Sequence, residues 1–259
     1  MKQFFKYLGL AAIVLFSFYY TEKIALLVQS KSPIMKTIVE YKEKNNILSV
    51  NAEIIGETII PGLDGQTINE EKSFVKMKEF GTFNDYYLVY DKVKPKISVD
   101  NNLDKTIIKG NKNKKSVSLI VSNNEQAIAY LKSKGTVFSA LVIEETYSNN
   151  SYELINAETN SSKFSNVESL LNKDKKNTKI CLITDQNHQL CRKNKHYLVK
   201  ATHTLTASNL LSIKTTVESG AIILLEENAT ISDINILIKQ IEFQGLKIIS
   251  LSNLISESN

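Results

Sequence analysis

From Ser116 onward, short apolar runs alternate with amphipathic stretches. Val117 to Val121, Phe138 to Ile143, Ile180 to Thr184, Ala221 to Leu225 and Lys247 to Ser250 read as short buried strands. The stretches between them are helical. One follows Asn123-Asn124, runs through Lys134 and stops at Gly135. The clearest spans Ser232 to Phe243, with Ile234, Leu237, Ile238 and Ile241 on one face, Ser232 as N-cap and Gly245 as its stop. Strand and helix in alternation predict an α/β fold with a mainly parallel sheet, open or closed into a barrel.

The chain before residue 113 keeps a different rhythm. Ser32-Pro33 opens a helix that runs to about Asn45, because Ser caps and Pro suits the first helical position. Ala52 to Ile60 reads as strand broken at Gly56, and Pro61 to Gly65 as a turn. Asn69 caps a short helix from Glu70 to Phe80, and Tyr86 to Val93 reads as strand up to Lys94-Pro95-Lys96. The pattern predicts a membrane anchor over residues 1–29, a small α+β module over 30–112, and the main (β/α) domain over 113–259. Phe83, Tyr86, Tyr87 and Tyr90 could form a platform for stacking sugars. Strand alternation, however, would put Tyr86, Leu88 and Tyr90 on one face and Tyr87 and Val89 on the other, so at least one set belongs to a core.

The first residues bear on the compartment. Lys2 and Lys6 precede an uncharged run from Tyr7 to Tyr20. Its length suits a signal-peptide core, since a full span takes about 20 apolar residues. The bulky residues around Tyr20 offer no small-residue cleavage site. With Phe4 and Phe5 on one side and Tyr19 and Tyr20 as interfacial residues, the reading is an uncleaved, single-pass signal anchor with the bulk of the chain outside. Basic and acidic residues are interspersed at a formal net charge of +5. The densest basic run, Lys109 to Lys115, reads as a turn, so no nucleic-acid partner is expected. Cys181 and Cys191, ten positions apart, either close a local disulfide or are two buried thiols.

Three segments of the second half resemble the polysaccharide deacetylase family of metal-dependent carbohydrate esterases. Ser116 to Val121 (SVSLIV) is similar to that family's first strand, Gly135 to Val142 (GTVFSALV) to its second, and Ser219 to Leu225 (SGAIILL) to its GSIILLH strand. Gln244-Gly245-Leu246-Lys247 and Leu251 to Ile255 (LSNLI) resemble the family's closing segments, while Thr58 to Gly65 and Lys94 to Ser98 look like the leader module of Gram-positive members. The resemblance implies a distorted (β/α) barrel of polysaccharide-deacetylase type. It also implies where the chemistry would sit. The family's two adjacent aspartates, one a base and one a metal ligand, correspond to Ser122 and Asn123. Its paired metal histidines correspond to Tyr152 and Ala157, and its terminal catalytic histidine to Glu226. A metal-activated water and a carboxylate base are both needed for deacetylation, so the resemblance implies a divergent member that has lost the reaction.

Two other constellations compete. His188, His196 and His203 cluster in sequence with Cys181, Cys191 and Asp185, which are zinc-type ligands, but the spacing matches no compact zinc pattern. No cofactor is expected; a divalent metal such as zinc enters only with a rebuilt hydrolytic site. Glu144, Glu145, Glu226 and Glu227 fall near the C-terminal ends of two expected strands, the face on which (β/α) barrels build sites. Asn123, Glu144, Glu145 and Glu226 are therefore the candidate ligand-binding residues. The resulting expectation is a catalytically inactive envelope protein that binds cell-wall glycan or an envelope protein. The alternatives are an active carbohydrate deacetylase or hydrolase with a rebuilt site, and a purely structural protein.

Overall fold

The computed structural model describes residues 2–258. In chain order the elements are α1 (Lys2–Lys31), α2 (Pro33–Asn45), β1 (Glu53–Ile55), β2 (Thr58–Ile60), β3 (Gly65–Ile68), α3 (Glu70–Lys78), β4 (Tyr90–Val93), β5 (Thr106–Ile107) and β6 (Ser116–Val121). Then follow α4 (Glu125–Lys134), β7 (Ser139–Val142), β8 (Glu153–Asn156), α5 (Ser161–Lys173), β9 (Ile180–Leu182), α6 (His188–Lys193) and β10 (Tyr197–Val199). The chain ends with β11 (His203–Leu205), α7 (Leu210–Thr216), β12 (Ile222–Leu225), α8 (Ile231–Phe243), β13 (Lys247–Ile248) and α9 (Leu251–Ile255). Two compact units result: residues 1–48 with 65–93, and residues 49–64 with 94–259.

The larger unit is built around β6, whose six residues are all buried. A strand covered on both faces is what an unbroken apolar run in a parallel sheet produces. Its sheet has the order β11-β12-β6-β7-β8, all parallel, with β13 also pairing β6. On one side Val117, Leu119 and Val121 pack with Leu131 of α4 and with Ile234 and Leu237 of α8. On the other, Ile120, Ile155 and Ile222 meet Ile107, Val199 and Leu251. The second sheet, β1-β2-β5-β10-β9, is parallel except for the β1–β2 hairpin.

The smaller unit holds α1, α2, α3 and the antiparallel β3–β4 pair. Met35 and Ile38 of α2 pack with Ile68, Phe74, Met77 and Leu88. Asn69 caps α3 by accepting from Lys72 N at 2.9 Å, and its amide donates to Asp91 Oδ2 at 2.6 Å, tying helix start to β4.

Three expectations change. The main domain is α/β with parallel ladders, but its hydrogen-bonded strands form two open sheets rather than one closed barrel. The boundary expected at residue 112 moves as well. Ile59 pairs with Ile107 and Ile107 with Val199, which brings 49–64 and 94–112 into the larger unit. Lastly, the strand expected over Tyr86 to Val93 begins only at Tyr90. Asn84 accepts from Tyr86 N at 3.0 Å and turns Asp85–Tyr87 into a 3-10 helix.

The N-terminal run is one 30-residue helix, α1. The side chains of Lys2, Phe4, Phe5 and Lys6 lie outside the described ones. Among the described residues, no helix is long and apolar enough to cross a membrane.

Candidate functional site

Three of the residues that the deacetylase resemblance assigns to catalytic positions stand at the C-terminal ends of parallel strands. Ser122 follows β6, Ala157 follows β8 and Glu226 follows β12. Backbone bonds fix them: Ser122 N donates to Leu225 O at 2.9 Å, Glu226 N to Leu205 O at 3.0 Å, and Ala157 N to Val142 O at 2.9 Å. Side chains alternate along a strand. Ser122 therefore shares the inward side of Ile120, Ala157 that of Ile155, and Glu226 that of Ile222 and Leu224. Below these ends the space between the sheets is filled by aliphatic side chains, with Leu141 and Leu224 half-buried on the same cluster.

The donor set does not fit a divalent metal. A hydroxyl, an amide and a methyl group occupy Ser122, Asn123 and Ala157, where metal-assisted deacetylation needs carboxylate and imidazole. The two residues matched to the paired histidines are also far apart. Tyr152 precedes β8 and Ala157 follows it, so the four extended residues of β8 lie between them, five steps that span about 16 Å. One ion cannot be shared across that distance.

The carboxylates do not converge either. Glu144 Oε1 accepts from Asn166 Nδ2 at 2.9 Å, and Glu145 pairs with Lys163, so both are drawn toward α5. That lysine's hydrogen bond holds Glu145 below the usual carboxylate range. Glu226 follows β12, which lies on the other side of β6 from β7, and faces neither.

Nor do the histidines meet. His196 is buried, with Nε2 at 3.2 Å from Glu168 Oε1 and its ring edge-on to Phe164. His203 lies on β11 in the other sheet, where burial pushes its pKa down, and His188 opens α6. Cys181 and Cys191 are bonded to each other, Cα to Cα 6.1 Å, so neither thiol is available as a ligand. Among the described residues, no three His, Cys, Asp or Glu side chains come together around a common point. The zinc arrangement considered for this segment is not assembled.

What the structure does assemble is a cavity of about 350 Å³ beside the ends of β6 and β7, under α4. Ser122, Asn123, Lys132, Thr146, Asn150 and Tyr152 contribute to its wall. Burial raises the Tyr152 pKa, and its ring lies between Phe138, at 4.7 Å between centroids, and the Lys132 ammonium at 4.9 Å. Sequence reasoning named Ser122, Asn123 and Tyr152 separately; only the packing of α4 on the sheet shows that they line one space. Lys132, Thr146 and Asn150 were missed, as loop and surface residues without a motif.

The arrangement of sheets and strand ends has solved counterparts. A mutant of BA3943, described as a CE4 family pseudoenzyme with restored enzymatic activity, superposes with a TM-score of 0.59 at 16% identity, over 87% of this chain and 99% of that one. The chain has the CE4 fold. Wild-type BA3943, a CE4 family pseudoenzyme from Bacillus anthracis, gives a TM-score of 0.55 at 15% identity, over 87% of this chain and 96% of that one. In sequence, the chain is 32% identical over 95 residues to the uncharacterized protein YlxY of Bacillus subtilis (strain 168). That match spans 36% of this chain and 30% of YlxY. No protein-family model matches the chain. At these identities the CE4 likeness is one of fold, and it agrees with the deacetylase resemblance read from the strands.

Proposed function

We infer that this protein is a catalytically inactive, deacetylase-like protein of the cell envelope that uses its CE4 fold to bind glycan. The observation that carries the reading is the donor set at the strand ends: hydroxyl, amide, methyl and one isolated carboxylate on a CE4 scaffold. Such a set makes hydrogen bonds to a sugar but supplies neither a metal ligand nor a paired acid and base. The cavity at Ser122 and Asn123 offers hydroxyl and amide partners of the kind a saccharide uses, beside Lys132 and Glu125.

The envelope location rests on two features. Helix α1 is about 45 Å long at the usual rise. Ile13, Val14, Leu15 and Phe16, about 100° apart around it, are all exposed, so this stretch is apolar on every side. Such an exposed apolar turn suits contact with a lipid surface. The bonded cysteines suit an oxidising compartment.

The test uses the full chain in detergent, loaded with Zn²⁺, Co²⁺ or Ni²⁺ and freed of excess metal, then titrated calorimetrically with N-acetylglucosamine oligomers. The expected result is no stoichiometric metal and saturable sugar binding. Retained metal with release of acetate from the oligomer would overturn the inactive reading. Absence of both metal and sugar binding would favour the second reading, a purely structural protein, which the aliphatic filling at Leu141 and Leu224 supports.

A further inference from the structure

The smaller unit carries an aromatic surface that rises from Tyr87, which is half-buried on the unit's core. Phe83 packs inward with Tyr41, at 5.5 Å between ring centroids, and Leu88 is buried beneath. Phe80 and Tyr86 instead point outward, 58% and 85% exposed. Tyr87 stacks on Phe80 at 4.7 Å with the rings 11° from parallel, and Tyr86 meets Tyr87 edge-on at 5.5 Å and 82°. Three rings thus form one ordered platform rather than scattered apolar residues.

Local hydrogen bonds hold the platform in place. Asn84 Oδ1 accepts from Tyr86 N at 3.0 Å, and Asn84 O accepts from Tyr87 N at 3.1 Å. Val89 N donates to Ser73 Oγ at 2.9 Å, which fastens the following segment to α3. Phe80 sits at the end of α3, where its N–H bonds to Met77 O at 3.0 Å. A rigid aromatic surface loses little entropy when a ligand settles on it.

We propose that Phe80, Tyr86 and Tyr87 form a saccharide-binding platform, separate from the strand-end cavity, that stacks on the C–H face of a pyranose ring in an envelope glycan. This deepens the glycan-binding reading and rests on it. The ring faces carry negative potential and attract the weakly positive C–H groups of a sugar. The flanking acceptors fit the same ligand: Asp85 immediately precedes Tyr86, and Glu79 adjoins Phe80. Carboxylates accept from sugar hydroxyls, whereas they repel the anionic surface of a lipid bilayer. Lys76 and Lys78 in the last turn of α3 balance those carboxylates, so the surroundings offer donors and acceptors to a polyhydroxylated ligand and no net attraction to an anionic bilayer.

The chain contains no tryptophan, so Tyr86→Trp places a single indole in the platform. The full chain carrying this change, in detergent, is titrated with tetra-N-acetylchitotetraose while indole emission is followed. A saturable emission change is expected, with affinity lowered about tenfold by Phe80→Leu, which keeps the apolar bulk but removes the aromatic face. Calorimetry on the same samples separates the outcomes. Sugar binding that leaves the indole silent and is unaffected by Phe80→Leu overturns the platform and leaves the glycan-binding reading standing. No binding by either method overturns both. A blue shift on transfer from detergent to a phosphatidylglycerol bilayer without sugar assigns the rings to the membrane and overturns the platform too.

Discussion

Asn124 donates its side-chain amide to the backbone carbonyl of Glu226 at 3.1 Å, joining the loop after β6 to the loop after β12. The same Nδ2 reaches Glu227 O at 3.0 Å and Ala229 O at 3.2 Å, while Oδ1 accepts from Ala127 N at 2.9 Å and caps α4. The two segments that would carry base and terminal acid in a deacetylase are thus locked by one buried, neutral side chain.

Replacing Asn124 should therefore cost stability. Asn124→Ala removes a helix cap, typically about 1 kcal/mol, and leaves buried carbonyls short of a donor, about 1–3 kcal/mol more. Asn124→Asp keeps the cap but turns a carboxylate toward three carbonyl oxygens, and it should be destabilised too. Urea unfolding with an unchanged slope would measure both. An aspartate variant as stable as the parent would mean that the contacts to Glu226, Glu227 and Ala229 contribute nothing.

The double change Tyr152→His with Ala157→His should fail to create a metal site. The two positions flank β8 and stand about 16 Å apart, whereas ligands of one zinc ion sit about 2 Å from it. Cobalt absorption and zinc retention should match the unmodified chain. Stoichiometric retention would show that residues 152–157 do not run as an extended strand.

Much of the parallel sheet was legible because its strands are short runs dominated by apolar residues: Ser116–Val121, Ser139–Val142 and Ile222–Leu225 lie within or beside the expected spans. The helix Ile231–Phe243 was readable from the periodicity of Ile234, Leu237, Ile238 and Ile241. Pairing partners were not. That Thr58 and Leu198 both pair with Thr106 depends on contacts across long stretches of chain, and no local pattern encodes them. β10 and β11 have three residues each, too few for periodicity to mark them. Near the site, motif comparison named Ser122 and Glu226 separately; the pairing of β6 with β12 is what brings them to neighbouring strand ends. Matching letters also could not show that the strand β8 lies between Tyr152 and Ala157.

Cys181 and Cys191 close a loop between β9 and α6, and both are fully buried against Phe164 and Leu198. Cross-linking so short a loop restricts the unfolded chain by about 3 kcal/mol in the loop-entropy account. Cys181→Ala with Cys191→Ala should lower unfolding stability by about that amount, with some further loss from packing. Comparison of oxidised and thiol-treated parent chain checks the same quantity without mutation. Equal urea midpoints in the two states would show that the crosslink adds no stability.

Lys114 links stability to alkaline pH. Its ammonium donates to Asn253 O at 2.5 Å, Ser256 O at 2.6 Å and Ser256 Oγ at 3.0 Å at the end of α9. Burial lowers its pKa to about 8, opposed by the nearby carboxylates of Asp64 and Glu257. Between about pH 8 and the ordinary lysine value the unfolded chain binds this proton and the folded chain does not, so stability rises with pH there. As pH falls through that window the gain is lost, and below 8 both states are protonated. Tyr147 and Tyr197 act in the opposite sense, being pushed up to about 12 by burial and by their bonds to Asp174 and Asp100. Unfolded tyrosine ionises near 10, so above that pH these two reduce stability. Urea unfolding from pH 8 to 10 should show a rising contribution in the parent chain that Lys114→Met removes. Parallel pH curves for the two proteins would place the proton uptake elsewhere and leave Lys114 with an ordinary lysine's titration.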